Sequence, residues 1–177
     1  PSGVVKNMDL DQVWSSEGVV DVITWEDVPG SNDVSPVYDG DKLLAEGRVE
    51  FVGQPVFAVA ANSFSLAKKA CQKAKIEYEE AAPFLDARMA LENEEFVLPT
   101  RTFKRGDAEK SLISSKNQLE GEQLVRGQEH FYLEGQVSVA SPNEDGGVHV
   151  ISSSQHPTEV QKLVASALGV GINKIDA

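Results

Sequence analysis

The sequence is short of cysteine, of basic residues and of long apolar runs, and each shortage narrows what the protein can do. Cys71 is the only cysteine in 177 residues, so no internal disulfide can form, and a reducing, cytoplasmic setting is expected. Lys and Arg number 16 against 28 Asp and Glu, a formal net charge of −12. A phosphate backbone rewards clustered cations, so this balance argues against nucleic acid as a partner and against an anionic membrane surface. No apolar run approaches the roughly 20 residues needed to span a bilayer. His130, His149 and His156 are the three histidines. None belongs to a His-x-x-x-His pair and no cysteine lies near them, whereas zinc needs three or four convergent ligands; no side-chain metal site is expected. Gly169-Val170-Gly171 lacks the third glycine of a dinucleotide fingerprint and follows a helix where that motif should open one. Nothing resembles a P-loop.

What remains is an ordinary globular balance, 41% hydrophobic and 25% charged residues, enough for one domain or two small ones. The opening on Pro1 without Met and the close on Ile175-Asp176-Ala177 suggest a piece of a longer protein.

The β-branched run Val19, Val20, Val22, Ile23 predicts a strand, and Pro29-Gly30-Ser31-Asn32-Asp33 predicts a loop. Val49–Val52 and Pro55–Ala61 are strand-like, with Gly53 as a turn or bulge between them. Asn62 or Ser63 can cap a helix in which Leu66, Ala67, Ala70, Cys71 and Ala74 form one apolar face and Lys68, Lys69, Lys73 and Lys75 keep to the other. Cys71 is therefore expected as a small buried hydrophobe rather than a nucleophile, which would need access and a lowered pKa. Ile76–Tyr78 returns as a strand, so the spacing predicts a βαβ unit. Glu92–Lys104 reads as a connector. Asp107 caps a short helix to Ile113, which is sufficient reason for Arg105-Gly106-Asp107 to end as it does.

Gln136–Ser141 and Val148–Ser153 form a hairpin around Pro142-Asn143-Glu144-Asp145-Gly146-Gly147. Pro157 suits a first helical position. Val160, Leu163, Val164, Ala167 and Leu168 then fall at helical spacing, and Gly169 ends the helix. Ile172–Ile175 begins a further element. The junction Ser152-Ser153-Ser154-Gln155-His156-Pro157 lies where a strand gives way to a helix, an edge at which free N–H groups and short polar side chains gather ligands. Its alternative is a polar cap whose serines satisfy the helix N-terminus.

Gly127-Gln128-Glu129-His130-Phe131-Tyr132-Leu133-Glu134 resembles a signature of the large subunit of the xanthine dehydrogenase and aldehyde oxidase family of molybdenum hydroxylases. Ser154-Gln155-His156-Pro157, with the following helix and Leu168-Gly169-Val170, is similar to the next family segment. Upstream, Val22-Ile23-Thr24, Asp27-Val28-Pro29-Gly30-Ser31-Asn32 and Val52-Gly53-Gln54-Pro55-Val56 resemble the preceding domain, in the right order, with the xanthine dehydrogenase branch favoured.

The resemblance implies an α+β fold: an α/β-hammerhead-like domain over residues 1–91, incomplete at its start, a connector over 92–117, and the first part of a molybdopterin-binding domain over 118–177. It implies an oxidoreductase parent in which a Mo–OH group attacks an electron-poor carbon, a glutamate takes the proton, and hydride passes to the metal's sulfido ligand. Electrons then leave through iron–sulfur clusters and FAD on other domains or subunits, which are the expected partners. Gln155 matches the glutamine whose amide bonds an oxygen ligand of molybdenum, a catalytic and cofactor-binding position. Val37 and Tyr38 fall near positions lining the substrate entrance. The family's glycine-rich cofactor loop and catalytic glutamate would follow Ala177, so this chain alone is expected to hold no molybdopterin and to be inactive. Purine oxidation, hypoxanthine or xanthine to urate, is the expected parent reaction. The alternatives are an aldehyde-oxidising relative or a non-catalytic hammerhead binding module. Self-association is expected through the apolar face of the 157–168 helix.

Overall fold

The computed structural model describes residues 2–177 and separates into two compact units, one made of residues up to Pro83 together with Glu134–Ala177, the other of Phe84–Leu133. In the first unit the chain opens with β1 (Ser2–Asp9) and a single helical turn, α1 (Asp11–Trp14). β2 (Val19–Ile23), β3 (Arg48–Val49) and β4 (Ala58–Ala61) follow. Then come α2 (Phe64–Cys71) and β5 (Lys75–Ala81).

The helix start is as its sequence requires: the Ser63 hydroxyl accepts from the Leu66 amide at 3.3 Å, satisfying a donor that the first turn leaves open. Inside the helix only Ala70 is fully buried. It joins Val13 and Val22 in a small core over which Leu10, Val19, Phe57, Val59 and Ala74 close. Cys71, expected on the buried face, is exposed, because the neighbouring strands and α1 cover only the strip centred on Ala70.

The expected βαβ unit does not form around this helix. β4 pairs antiparallel with β2, with Val22 opposite Val59, whereas β5 pairs antiparallel with β1 along nearly its whole length, from Ser2–Ala81 to Asp9–Lys75. The two strands flanking α2 therefore belong to different sheets, ordered β2-β4 and β3-β1-β5. β1 is the element that sequence periodicity missed: Ser-Gly-Val-Val-Lys-Asn-Met-Asp has no clean alternation, and a bulge between Val5 and Asn7 breaks its register. The strand expected over 49–52 shrinks to Arg48–Val49, after which the chain turns through Gly53 at φ 94.

A parallel crossover does occur at the other end of the chain. β6 (Ser138–Pro142) and β7 (Val148–Ser152) form the predicted hairpin. α5 (Pro157–Leu168) then leads through a short 3-10 turn to β8 (Ile175–Asp176). β8 runs parallel to β7, Ile175 facing Val148, so β7–α5–β8 is the βαβ unit. Val150, Ala165 and Ile175 form its buried centre, with Val148, Val160 and Val164 packed around them. The α5 face is thus covered in part by its own sheet, while Leu168 stays 39% exposed.

The second unit contains α3 (Ala87–Glu92) and α4 (Ala108–Ser114), each started by an aspartate. Asp86 accepts from the Arg88 and Met89 amides, and Asp107 from the Lys110 amide. Only the second was anticipated. No residue of this unit is buried, and within the Gly127–Glu134 block Phe131 and Leu133 are fully or nearly fully exposed.

Candidate functional site

Gln155 occupies the turn between β7 and α5, exposed. The serines around it are engaged elsewhere. Ser152 Oγ lies 2.9 Å from Ser138 Oγ. Ser153 Oγ accepts from the Val137 amide at 3.1 Å, and Ser154 Oγ accepts from the His156 amide at 3.1 Å. These bonds tie the hairpin end and the turn together. None caps the helix: His156 at the cap makes no side-chain bond to it, and Pro157 begins it without an N–H. The serine-cap alternative is therefore not what forms. The junction instead presents a neutral amide side chain at the positive end of a three-turn helix.

The opposite end of α5 carries a second feature. Gly169 closes the helix in the left-handed region, φ 66, a conformation that costs a side chain about 1 kcal/mol or more. The loop after β2 docks on this end. The Gly30 amide donates to Ala167 O and the Ser31 amide to Ser166 O, both at 2.9 Å. Ala167 O, which the last helical turn leaves open, is thereby satisfied, and Ser166 O gains a second donor beside the Gly169 amide. The approach is so close that a Cβ on Gly30 would overlap Ser166 O and the Gly169 backbone.

From this anchor the chain makes a closed loop. The Asn32 side chain donates to Leu44 O at 2.8 Å and accepts from the Leu44 amide at 3.0 Å, holding the stem where Leu44 and Ala45 are buried. The Val34 amide donates to Asp41 O at 2.9 Å. The Asp33 carboxylate gathers the rest: Oδ1 accepts from the Ser35 amide at 2.9 Å and Oδ2 from the Gly40 amide at 2.8 Å, with Lys42 Nζ 4.0 Å away. Its carboxyl is held below the ordinary value by the Ser35 hydroxyl and amide first, then by Gly40. The tip of this loop holds Val37, 75% exposed, and Tyr38, 47% exposed. Gln155 and the Val37–Tyr38 loop are therefore both tied to α5, one at its start and the other at its end, about 18 Å apart along the axis.

Other chemistry is sparse. No group of three or more His, Cys, Asp or Glu side chains that could hold a metal occurs among the described residues. His149 Nδ1 lies 2.9 Å from Asp176 Oδ2 across the β7–β8 pair, a bond that joins the two strands. An apolar cavity of about 230 Å³ opens between the β1 and β5 ends and the 49–56 segment, lined by Phe51, Val52, Val56 and Tyr78; neither Gln155, Val37 nor Tyr38 borders it. No helix among the described residues is long and apolar enough to cross a membrane.

Comparison with known proteins decides the family. Residues 1–82 match the aldehyde oxidase and xanthine dehydrogenase a/b hammerhead domain, and residues 91–177 match the molybdopterin cofactor-binding domain. The chain belongs to the aldehyde oxidase and xanthine dehydrogenase family. Among its relatives, aldehyde oxidase 4 of Cavia porcellus is 40% identical over 171 residues, 96% of this chain and 12% of that protein. The xanthine dehydrogenase/oxidase of Gallus gallus is 36% identical over 172 residues, 97% of this chain and 13% of that protein. The chain thus spans about an eighth of the length of the curated relatives it matches. The aldehyde oxidoreductase from Desulfovibrio gigas superposes with a TM-score of 0.82 at 24% identity, over 98% of this chain and 21% of that one, which shows the shared fold.

The β7–α5 junction leaves one neutral side chain, Gln155, open to a ligand at the helix start. Gln155 is exposed and its amide is a neutral N–H donor.

Proposed function

We propose that this chain is the hammerhead and the opening of the cofactor-binding domain of a molybdenum hydroxylase, and that Gln155 contacts the cofactor. The proposed division is a hammerhead to about residue 91, a connector over 92–117 and the cofactor domain from 118. The observation that carries the reading is the exposed Gln155 amide at the uncapped start of α5.

When bound, the cofactor supplies the two-electron oxidation of an electron-poor carbon. What this chain adds is orientation. Gln155 would hold the cofactor by donating its amide N–H, a neutral donor that can stabilise charge as it develops. The 32–44 loop presents Val37 and Tyr38 toward the substrate entrance. Iron–sulfur and FAD domains of the parent take the electrons onward, in the cytoplasm. The proton-accepting glutamate and most cofactor contacts lie outside this chain, so the chain alone binds no molybdopterin and turns nothing over.

For substrate, the first reading is a purine, hypoxanthine or xanthine oxidised to urate. The second is an aldehyde, favoured by the 40% identity to an aldehyde oxidase against 36% to a xanthine dehydrogenase/oxidase. The test uses the parent holoenzyme and its Gln155→Ala variant, assayed with xanthine and with an aromatic aldehyde. Turnover of xanthine supports the first reading and turnover of the aldehyde alone the second. The variant is expected to keep its molybdenum content and to lose about 100-fold in kcat. A parent without molybdenum would instead leave a hammerhead binding module, and an unchanged kcat would remove Gln155 from the machinery.

A further inference from the structure

The loop that holds Val37 and Tyr38 has no hydrophobic core of its own. Between Ser35 and Gly40 no side chain is buried. What closes the loop is polar. Asn32 staples the stem to Leu44. Two backbone bonds also join the limbs, from the Leu43 amide to Asn32 O at 2.8 Å and from the Val34 amide to Asp41 O at 2.9 Å. The Ser35 hydroxyl accepts from the Asp41 amide at 2.8 Å, and Ser35 itself is held by Asp33 through its amide. The same carboxylate reaches across seven residues to the Gly40 amide. One side chain thus closes the ring on both sides of the tip. It is also the right side chain. A carboxylate accepts at both oxygens, and bonds from N–H groups to an ionised acceptor are about twice as strong as neutral ones. Gly40 stands at φ 139, which a side-chain-bearing residue rarely adopts, and this lets its amide turn inward toward Asp33.

We propose that Asp33 is a positioning residue for the hydroxylase: its carboxylate, bridging Ser35 and Gly40, sets where the Val37–Tyr38 tip meets the substrate. The inference rests on the reading of those two residues as the substrate entrance. Asp33 touches no substrate itself. Its effect is to keep the tip in one arrangement, so substrate binding does not have to order the loop first. Loss of that order raises KM and leaves the chemical step alone.

Two measurements separate the parts. In this chain, amide hydrogen exchange at Ser35 and Gly40 is compared for the unaltered protein, Asp33→Asn and Asp39→Asn. An asparagine at 33 has one acceptor oxygen, so it keeps one of the two bonds at most and sets an NH2 against the other amide. Asp39→Asn removes the same charge from the same loop, but the Asp39 side chain makes none of these bonds. The expected result is exchange at Gly40 or at Ser35 about tenfold faster in Asp33→Asn, that is, about 1.4 kcal/mol by the usual conversion, and unchanged at both in Asp39→Asn. Equal effects in the two variants, or none in either, would overturn the role of Asp33. In the parent holoenzyme, Asp33→Asn is expected to raise KM about threefold or more with kcat within twofold, and Tyr38→Ala is expected to shift KM as well. If Asp33→Asn loosens the loop while KM stays put in both variants, the tip does not meet substrate. The entrance reading then fails, and the positioning role with it.

Discussion

Three aspartates show how single side chains set local structure in this protein. Asp27 closes a capping box with Thr24, Asp33 gathers Ser35 and Gly40, and Asp145 holds the hairpin turn by accepting from the Gly147 amide while Lys174 reaches it at 3.3 Å. All three carboxyls are held below the ordinary value of 3.8. Thr24's amide is the main cause for Asp27, the Ser35 hydroxyl for Asp33 and the Gly147 amide for Asp145. A carboxyl whose folded-state pKa is depressed stabilises the fold fully above its unfolded value and ceases to do so as pH falls through the folded value. These turns should therefore hold from neutral pH down to about the ordinary carboxylate range, and loosen only below it. Carboxyl-carbon NMR titration is the check: the three midpoints are expected below 3.8. A midpoint at or above that value for Asp33 would mean the loop bonds are not maintained in solution.

At the scale of elements, what could be read in advance divides by the physics involved. Local signals were sufficient where one residue does one job: the Ser63 and Asp107 caps, Pro157 at the start of α5 and Gly169 at its end all form as their chemistry requires. Pairing was not legible, since a strand's partner is a long-range choice. Ile76–Tyr78 was visible as a strand, but nothing in it names β1, some seventy residues earlier, as its neighbour. The site divides in the same way. The strand-to-helix turn that holds Gln155 could be located from Pro157. The docking of Gly30 on the end of α5 could not, because the glycine's reason lies in Ser166 and Gly169. That contact gives a sharp expectation. Gly30→Ala must push the loop off the helix and should cost roughly 1–3 kcal/mol, as overpacking does. Gly169→Ala, which only strains its own φ, should cost about 1 kcal/mol. Urea unfolding of the two variants measures both; equal small losses would show that the loop yields without resistance.

The molecule as a whole buries little. Its accessible surface is 14576 Å², whereas a compact 19.1 kDa monomer would show about 8400 Å². Only Val13, Val22, Leu44, Ala45, Ala70, Val150, Ala165 and Ile175 form buried hydrophobic positions among the described residues. Val97, Phe103, Leu119, Phe131 and Leu133 are nearly or wholly exposed, far more apolar surface than a monomer ordinarily leaves open. Purified alone, the chain should bind a hydrophobic dye and associate as concentration rises. Light scattering over a concentration series tests this, and a stable monomer without dye binding at high concentration would refute it. The apolar face of α5 should contribute less to such association than the 84–133 segment, because β7 and β8 already cover part of it.

The contact between Gly30 and the end of α5 also has a consequence in time. Gly30 and Gly169 are 139 positions apart in sequence. A ribosome adding 5–20 residues per second needs roughly 7–28 s to cover that distance. During that interval β2 and β4 can pair, but the loop bearing Val37 and Tyr38 has no surface to rest on. The 32–44 loop is thus finished only after the helix that anchors it has been made.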